Sequence, residues 1–535
     1  MKRRITTLMC IAAGYFSYGQ TTVAQIVKDI NPGLDGSSIQ QPVEFNGKLY
    51  FSANDGEHGD ELWATDGTEE GTVLIKDVNF LGADSSITEL TELNGKLVFS
   101  ASDASHGIEL WVTDGTEAGT VMLKDIFTGA NGGIPLFFKK VGNKVYFQAD
   151  NGVDGSELWV TDGTTEGTIM PKDINPTGSS YPYGFIEYDG KAYFQADNGT
   201  NGYELWVSDG TEAGTYMVKD VFTEGDSSPR SFVVYNDLLY FRADDNNGDE
   251  LWVTDGTEAG TTLFAEINPN EGEGSSVNEF TEVNGKLYFR ANDGTHGYEL
   301  WTTDGTVAGT VMVKDIFPGA GESFPGALYG HNGKVYFQAT DGVHNAELWS
   351  SDGTEAGTVM IKDINVGADY SAPNYFISYN NLLYFVAIDN TNGSELWVTD
   401  GTTAGTTKLM ADTDAISPMY YIPFFTILNN ELYFKGEYGA EGAELYKLTQ
   451  DVMAVSPVNA AAQATVYPNP TTGTVAIQLA NAGVQNVSVF SIAGKKVLEV
   501  QGQASLDISK LSQGVYILKI ETDTNQVFFN KIVKQ

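Results

Sequence analysis

The sequence predicts an all-β chain: a β-propeller of about nine four-stranded blades, followed by a short, separate β unit. Three observations predict it. First, the stretch Glu109 to Thr120, Glu-Leu-Trp-Val-Thr-Asp-Gly-Thr-Glu-Ala-Gly-Thr, returns along most of the chain. All eight tryptophans (Trp63, Trp111, Trp159, Trp206, Trp252, Trp301, Trp349 and Trp397) stand in copies of it, and a ninth copy carries Tyr446 in that place. The steps between them are 48, 48, 47, 46, 49, 48, 48 and 49 residues, a fixed period that marks a repeat architecture whose units bury their apolar faces against one another. Second, each period holds four strand-like segments and no helical pattern, which suits a propeller blade better than the shorter repeat of a β-helix coil. Third, the second segment is a continuous apolar run, as in Leu49-Tyr50-Phe51, Val145-Tyr146-Phe147 and Leu287-Tyr288-Phe289, the pattern of a sheet covered on both faces.

Taken in order, the chain begins with Lys2-Arg3-Arg4, an apolar run from Ile5 to Phe16, and small residues at Ser17 and Gly19. This reads as a secretory signal over residues 1–19 with Gln20 the first mature residue. The run is shorter than the roughly 20 residues a membrane span needs, and no later segment approaches that length. The only cysteine, Cys10, lies inside the leader, so disulfides, cysteine-bound zinc and a cysteine nucleophile are excluded for the mature chain. Net charge is -41; the leader carries +3, the last 71 residues +2 and the linker before them -1, which leaves about -45 on the repeats. So negative a surface argues against nucleic acid and anionic lipid as partners.

The unit from Ser85 to Ile126 shows how one blade is built. Ile87 to Leu93 is the first strand; Asn94-Gly95, which accepts positive φ at both positions, turns the chain into Lys96 to Ala101. A polar loop, Asp103 to Gly107, leads to Glu109-Leu110-Trp111-Val112-Thr113, and the turn Asp114-Gly115-Thr116-Glu117-Ala118-Gly119 leads to a fourth strand, Thr120 to Ile126. Nine three-strand sets and nine fourth strands occur, but they are offset. The first piece, Ala24 to Ile30, is a lone fourth strand, and the last, Met419 to Leu448, lacks one. The orphan can therefore complete the final unit and latch residues 20–448 into a ring without open sheet edges. An eight-bladed ring and an open arc are the alternatives.

Residues 449–464 lose the repeat and read as a linker, and residues 465–535 form a last domain. There Val466-Tyr467-Pro468-Asn469-Pro470, Gly473, Val489 to Val497 with Gly494, Gly514-Val515-Tyr516 and the basic end Lys531-Ile532-Val533-Lys534 follow in order. This resembles the type A C-terminal sorting domain carried by cargo of the type IX secretion system. The resemblance implies an immunoglobulin-like sandwich, the type IX machinery as partner, and removal of the domain at the outer membrane, often with attachment of the cargo to surface lipopolysaccharide. Tyr467, Pro468, Asn469, Pro470, Gly473, Gly494, Gly514, Tyr516, Lys531 and Lys534 are its sorting-motif residues here. Over residues 24–448 the repeats are similar to a family of secreted bacterial proteins named for the Glu-Leu-Trp-x-x-Asp-Gly-Thr-x-x-Gly-Thr motif. Tyr446 for tryptophan and Ala265-Glu266 for Lys-Asp depart from its pattern. That family carries no established catalytic residues.

A residue recurring in every unit does the same work each time, whereas a catalytic site needs unlike groups converging once. By that criterion the glutamate before each Leu-Trp (Glu109 and its equivalents), the tryptophans and the Asp-Gly-Thr turns are structural. His58, His106 and His296 fall in equivalent loops, His331 and His344 elsewhere, and none has zinc spacing. The loops between second and third strands offer hard oxygen ligands at Asp55, Asp150, Asp197, Asp244, Asp293 and Asp389. These are the calcium candidates, although each segment supplies fewer oxygens than a calcium shell takes. No other cofactor is expected. The connections between units vary most, and Tyr181, Tyr183, Arg230, Phe324 and Tyr370 there are the candidate binding residues. The reading is a monomeric, non-catalytic binding or adhesion protein, secreted or attached to the outer cell surface, with an extracellular glycan or protein as ligand. The alternative is an extracellular propeller glycosidase or polysaccharide lyase, which would need only two carboxylates.

Overall fold

In the computed structural model the described residues are 21–535 except 34, 81, 271, 368, 391–392, 410–423, 438–441, 452–464, 480–482, 492–495 and 524–526. The expected leader, most of the linker and Gly494 lie outside them. The described residues form strands and turns without a helix. One compact unit spans Ala24–Leu448 and a second includes Thr449–Gln535.

The first unit is a series of antiparallel sheets, nine among the described residues. The second sheet, Thr88–Leu93, Lys96–Asp103, Gly107–Thr113 and Val121–Lys124, pairs its strands in chain order. Its register places Phe99 opposite Trp111 and Leu97 opposite Thr113, and a bulge between Leu110 and Trp111 shifts the fourth strand by one residue. Alternation sends Leu97, Phe99 and Ala101 to one face and Val98 to the other. The first face packs on Tyr50, Leu62 and Ala64 of the preceding sheet, the second on Val145, Phe147 and Ala149 of the following one. The second sheet is thus the filling between two others, which is why its second strand is apolar on both faces.

Two sheets depart from four strands paired in chain order. In the third, the fourth strand shrinks to a single bridge, Val160 with Ile169, because Pro171 stands where the second sheet has Leu123 and offers no N–H to the ladder. In the last, Phe425–Leu428, Glu431–Glu437 and Ala443–Asp451 are joined at the outer edge by Thr21–Lys28. Val27 and Ile30 share a core with Leu428, Tyr433 and Leu445 of that sheet and with Leu49, Phe51 and Trp63 of the first.

The C-terminal unit has two antiparallel sheets. Thr465–Tyr467, Thr474–Gln478 and Ser505–Asp507 make one. Val484–Ser491, Lys496–Gln501, Gly514–Thr522 and Val527–Lys534 make the other. Val475 and Ile477 from the first meet Val487, Val489, Leu518 and Ile520 from the second in one core.

Candidate ligand-binding face

The repeated glutamates and Asp-Gly-Thr residues are engaged in holding the sheets. Glu109 is buried, and its carboxylate accepts from the backbone N–H groups of Ile126 (2.7 Å), Phe127 (3.0 Å) and Gly133 (2.7 Å), on the connection leaving the sheet. Glu157 and Glu204 do the same, each adding a serine hydroxyl, Ser180 at 2.7 Å and Ser227 at 2.6 Å. Burial pushes Glu61, Glu157, Glu204, Glu299 and Glu444 up to about 7 despite these donors. A raised carboxyl is a usual mark of a catalytic acid, but one repeated in sheet after sheet on the same backbone donors marks architecture. The tryptophan indole N–H groups are buried without a protein acceptor in all eight copies. Their contribution is therefore apolar contact, joined by lysine ammonium groups over the ring, as Lys124 lies 5.9 Å from Trp159.

In the Asp-Gly-Thr turn, Asp114 accepts from the Thr116 N–H (2.9 Å) and hydroxyl (2.7 Å), while the Thr113 and Thr120 hydroxyls meet at 2.7 Å. Gly115, at φ +92°, admits the Tyr50 hydroxyl of the preceding sheet so closely that a Cβ would collide with it. Gly67 of the first sheet receives Tyr433 of the last in the same way. Lysines add a second tie, Lys124 to the Thr168 carbonyl at 2.8 Å and Lys28 to the Thr72 carbonyl at 2.7 Å.

The calcium candidates occupy two different positions of one loop. Asp55 and Asp293 accept from the backbone N–H three residues on and bond the imidazoles of His58 and His296, both at 2.8 Å, which raises these histidines above their ordinary range. Asp150, Asp197 and Asp244 stand one position earlier and accept from Gly152, Gly199 and Asn246 N–H at 2.6–2.7 Å. Asp389 is paired with Lys408 at 2.9 Å. Each belongs to a separate sheet, and among the described residues no three His, Cys, Asp or Glu converge to hold a metal ion. His344, expected apart from the other three histidines, belongs with them: it bonds Asp341 at 3.0 Å in the same geometry. The sequence Asp341-Gly-Val-His344 matches Asp293-Gly-Thr-His296 and carried that signal.

The entry to the first strand is different in kind. There the residue before each entry holds a left-handed backbone, at Ile134 (φ 46°), Tyr181 (44°), Ser228 (45°), Phe324 (45°) and Ala372 (41°), each followed by proline. Its conformation is set by the main chain, Tyr181 N–H donating to the Ser156 carbonyl (3.1 Å) and Phe324 N–H to that of Tyr298 (3.2 Å). The side chains are left outside. Tyr181 is 51% and Phe324 49% exposed. Tyr183 meets Phe137 edge-on, with ring centroids 4.8 Å apart, and Phe324 stacks on Tyr298 at 5.4 Å. Tyr370 is exposed, one residue before the buried Ser371. The structure brings Tyr181 and Tyr183 together in one sheet entry and puts Phe324 and Tyr370 at the entries of two others; it does not gather the five candidates at one point.

Arg230, half exposed at the same position of the fifth sheet as Tyr183 in the fourth, has company that sequence reading missed. Arg230 pairs with Asp249 at 3.5 Å, and Arg242, opposite it in the ladder, pairs with the same carboxylate oxygen. Arg290, at the position of Arg242 one sheet on, lies 5.6 Å from the Tyr298 ring centroid and donates to the Pro325 carbonyl at 3.4 Å. Burial, then the charges of Arg230 and Arg290, hold Arg242 down at about 10 against the opposing effect of Tyr298 and Asp244.

In the C-terminal unit, Tyr467, Pro468, Asn469 and Pro470 are exposed. Asn469 bridges to the last strand, donating to the Lys531 carbonyl (2.6 Å) and accepting from Val533 N–H (2.9 Å). Gly473 N–H donates to the Thr471 hydroxyl, Gly514 sits at φ +153°, and the buried Tyr516 donates its hydroxyl to the Ser512 carbonyl at 2.9 Å. Lys531 is exposed and Lys534 half-buried on that strand.

Residues 465–535 match the family described as secretion system C-terminal sorting domain. That domain supports type IX export of the chain, to the exterior or the outer surface. No curated protein matches it. Among solved structures it is similar to one of two prolyl endopeptidases studied for inter-domain dynamics, at 11% identity and TM-score 0.36, over 66% of this chain and 54% of that one. It is similar to puromycin hydrolase at 13% identity and TM-score 0.33, over 66% and 58%. A third is the β-propeller domain of the trilobed protease from Pyrococcus furiosus, at 12% identity and TM-score 0.32, over 61% and 98%. The chain spans only 54% and 58% of the length of the first two. Likeness at this level concerns sheets and not chemistry.

Proposed function

We propose that this chain is a non-catalytic binding protein of the cell exterior, in which the sheets of residues 20–448 form one closed nine-bladed propeller. Thr21–Lys28 is its latch, and an immunoglobulin-like sorting domain over 465–535 exports it. Pairing of the latch with the last sheet, the core it shares with the first sheet and the seating of Tyr433 on Gly67 support closure. The back-donation of Tyr516 four residues upstream is in keeping with an immunoglobulin-like corner.

One observation carries the binding reading: the repeated glutamates and Asp-Gly-Thr residues are taken up by internal bonds, whereas several unrepeated side chains at the first-strand entries are aromatic or cationic and face outward. Large exposed aromatics on rigid backbone are the usual makings of a recognition surface. The glycosidase or lyase reading would need unlike carboxylates converging once, and the raised glutamates are alike in eight of the nine sheets. The test is a glycan array probed with the secreted chain, alongside incubation with polysaccharides and peptides. Retention of a restricted set of glycans without cleavage is expected. Cleavage that disappears on changing a single carboxylate would replace this reading with an enzymatic one.

A further inference from the structure

Outside the expected leader the chain has three arginines, Arg230, Arg242 and Arg290, in a sequence whose net charge is -41. Arg230 and Arg242 meet on Asp249 at the entry of the fifth sheet, and Arg290, 60 positions after Arg230, stands opposite Asn278, which accepts from the Ser231 hydroxyl beside Arg230 at 3.0 Å. Ring geometry does not ask for them. At the place of Arg242 and Arg290 other sheets have Ser52, Ser100, Gln148, Gln195 and Gln338, and at the place of Arg230 they have Thr88, Tyr183 and Asn278, among others. Nor does internal pairing account for them. Asp249 is the one carboxylate in ion-pair contact with the group, shared by Arg230 and Arg242. Its other oxygen is taken by the Ser276 N–H at 3.1 Å and hydroxyl at 3.3 Å. The Nε–H groups of Arg242 and Arg290 are buried and have no protein acceptor. A buried guanidinium donor left so is destabilising, and an incoming anion would relieve it.

Beside the cluster lies a ring surface. Arg290 covers one side of the Tyr298–Phe324 stack, and Phe324 keeps an outward face. Guanidinium forks match a planar carboxylate in two parallel bonds, and an aromatic face takes the C–H side of a sugar ring by apolar contact. The overall negative charge repels polyanions, so the ligand is one acidic group on a short or mostly neutral chain. We infer that Arg230, Arg242 and Arg290, with Phe324 on Tyr298, form a binding site for an acidic sugar, its carboxylate held by the arginines and its ring against Phe324. This rests on the binding reading above and names the ligand class for that face.

The test is calorimetric titration of the secreted chain with galacturonic acid, which carries a single carboxylate, with its methyl ester, and with inorganic sulfate as competitor. Arg230 is half exposed, so R230Q is not expected to disturb folding, and R290Q supplies a second variant; circular dichroism melts of both accompany the titration. The expected result is binding of the acid, at least 10-fold weaker binding of the ester, and a loss of at least 10-fold for the acid in each variant. R230K should recover part of it, since lysine keeps the charge but not the fork. Competition by sulfate would place the contact on the anionic group; its absence would restrict the site to planar carboxylates. Equal affinity for acid and ester, no binding of the acid, or indifference to both R230Q and R290Q would overturn the site. If the array meanwhile retains neutral glycans, the binding reading stands and this site alone falls; if neither assay finds a ligand, both fall.

Discussion

Each blade has two ends, and they are built on opposite principles. At the Asp-Gly-Thr end, eight turns from Asp66 to Asp400 repeat one set of side-chain bonds, aspartate to threonine and threonine, or in two of them serine, to threonine. Here side chains set the backbone, and a neighbouring tyrosine reads the result at the glycine. At the first-strand entry the buried glutamate grips the residue before, and the left-handed residue itself is held by its main chain, at Tyr181, Ser228, Phe324 and Ala372 through an N–H bond to the preceding sheet, so its own side chain takes no part. Serine, isoleucine, tyrosine, phenylalanine and alanine all stand at that position. The difference teaches where this fold can vary. An end held by side chains must keep them, while an end held by main chain leaves its side chains for a ligand.

The sharpest way to break the comparison is at the seam, where one blade depends on a strand from the other end of the chain. Deleting residues 20–30 removes the buried Val27 and Ile30 and a full edge of ladder bonds. Counting about 2 kcal/mol per buried side chain and 1 kcal/mol per hydrogen bond gives a loss on the order of 5 kcal/mol or more. Urea unfolding should show it, with association through the exposed edge in sedimentation. An unchanged midpoint and monomeric state would mean that the sheets do not form a closed ring.

Next in size is the turn. A Cβ on Gly119 would lie 2.1 Å from the Asp114 carboxylate, so Gly119→Ala should cost about 2–4 kcal/mol by displacing the aspartate from both threonine bonds. A loss below half a unit by the same assay would show that the turn is held by something other than its side chains.

Acidity comes third. The folded glutamates near 7 lie above their unfolded value of 4.5, so their favourable contribution is complete below pH 4.5 and is lost as pH rises through about 7. Asp66, Asp114 and Asp304 are lowered by threonine bonds and act oppositely, losing their contribution only as pH falls below the usual carboxylate range. The unfolding midpoint should therefore be higher at pH 5 than at pH 8; a rise over that interval would contradict the burial of the glutamates. Calcium should do least, because the loop aspartates are spent on backbone N–H groups and histidines. Melts with calcium and with chelator should agree within about a degree, and a shift of many degrees would expose a bound cation.

How much of this was legible in the sequence follows from the same two ends. The period, the Asp-Gly-Thr turn and the offset Ala24 to Ile30 strand could be read because each is a local pattern repeated many times. Pro171 could have warned of the broken fourth strand, but the repeat outweighed one residue. The two positions of the Asp-Asn loop were merged because Asn54-Asp55 and Asp150-Asn151 are alike in composition and opposite in order. Arg242 and Arg290 are hidden inside apolar second strands: Arg242 faces Arg230 across a ladder whose register is shifted by a bulge, and Arg290 nears them only because sheets pack side by side, neither of which sequence carries.

The claim that one end holds the fold and the other is available for binding has a direct test in a paired scan of unfolding free energies. Thr113→Ala, Thr161→Ala and Thr399→Ala sample the repeated end; Tyr181→Ala, Phe324→Ala and Arg230→Gln sample the entry. Each threonine variant loses a buried hydroxyl pair and should lose about 1–3 kcal/mol in every blade. Each entry variant should stay within about 0.5 kcal/mol of the parent, as exposed substitutions do. Entry variants that destabilise as much as the threonines would make the exposed aromatics and arginine part of the scaffold, and the binding face would be lost.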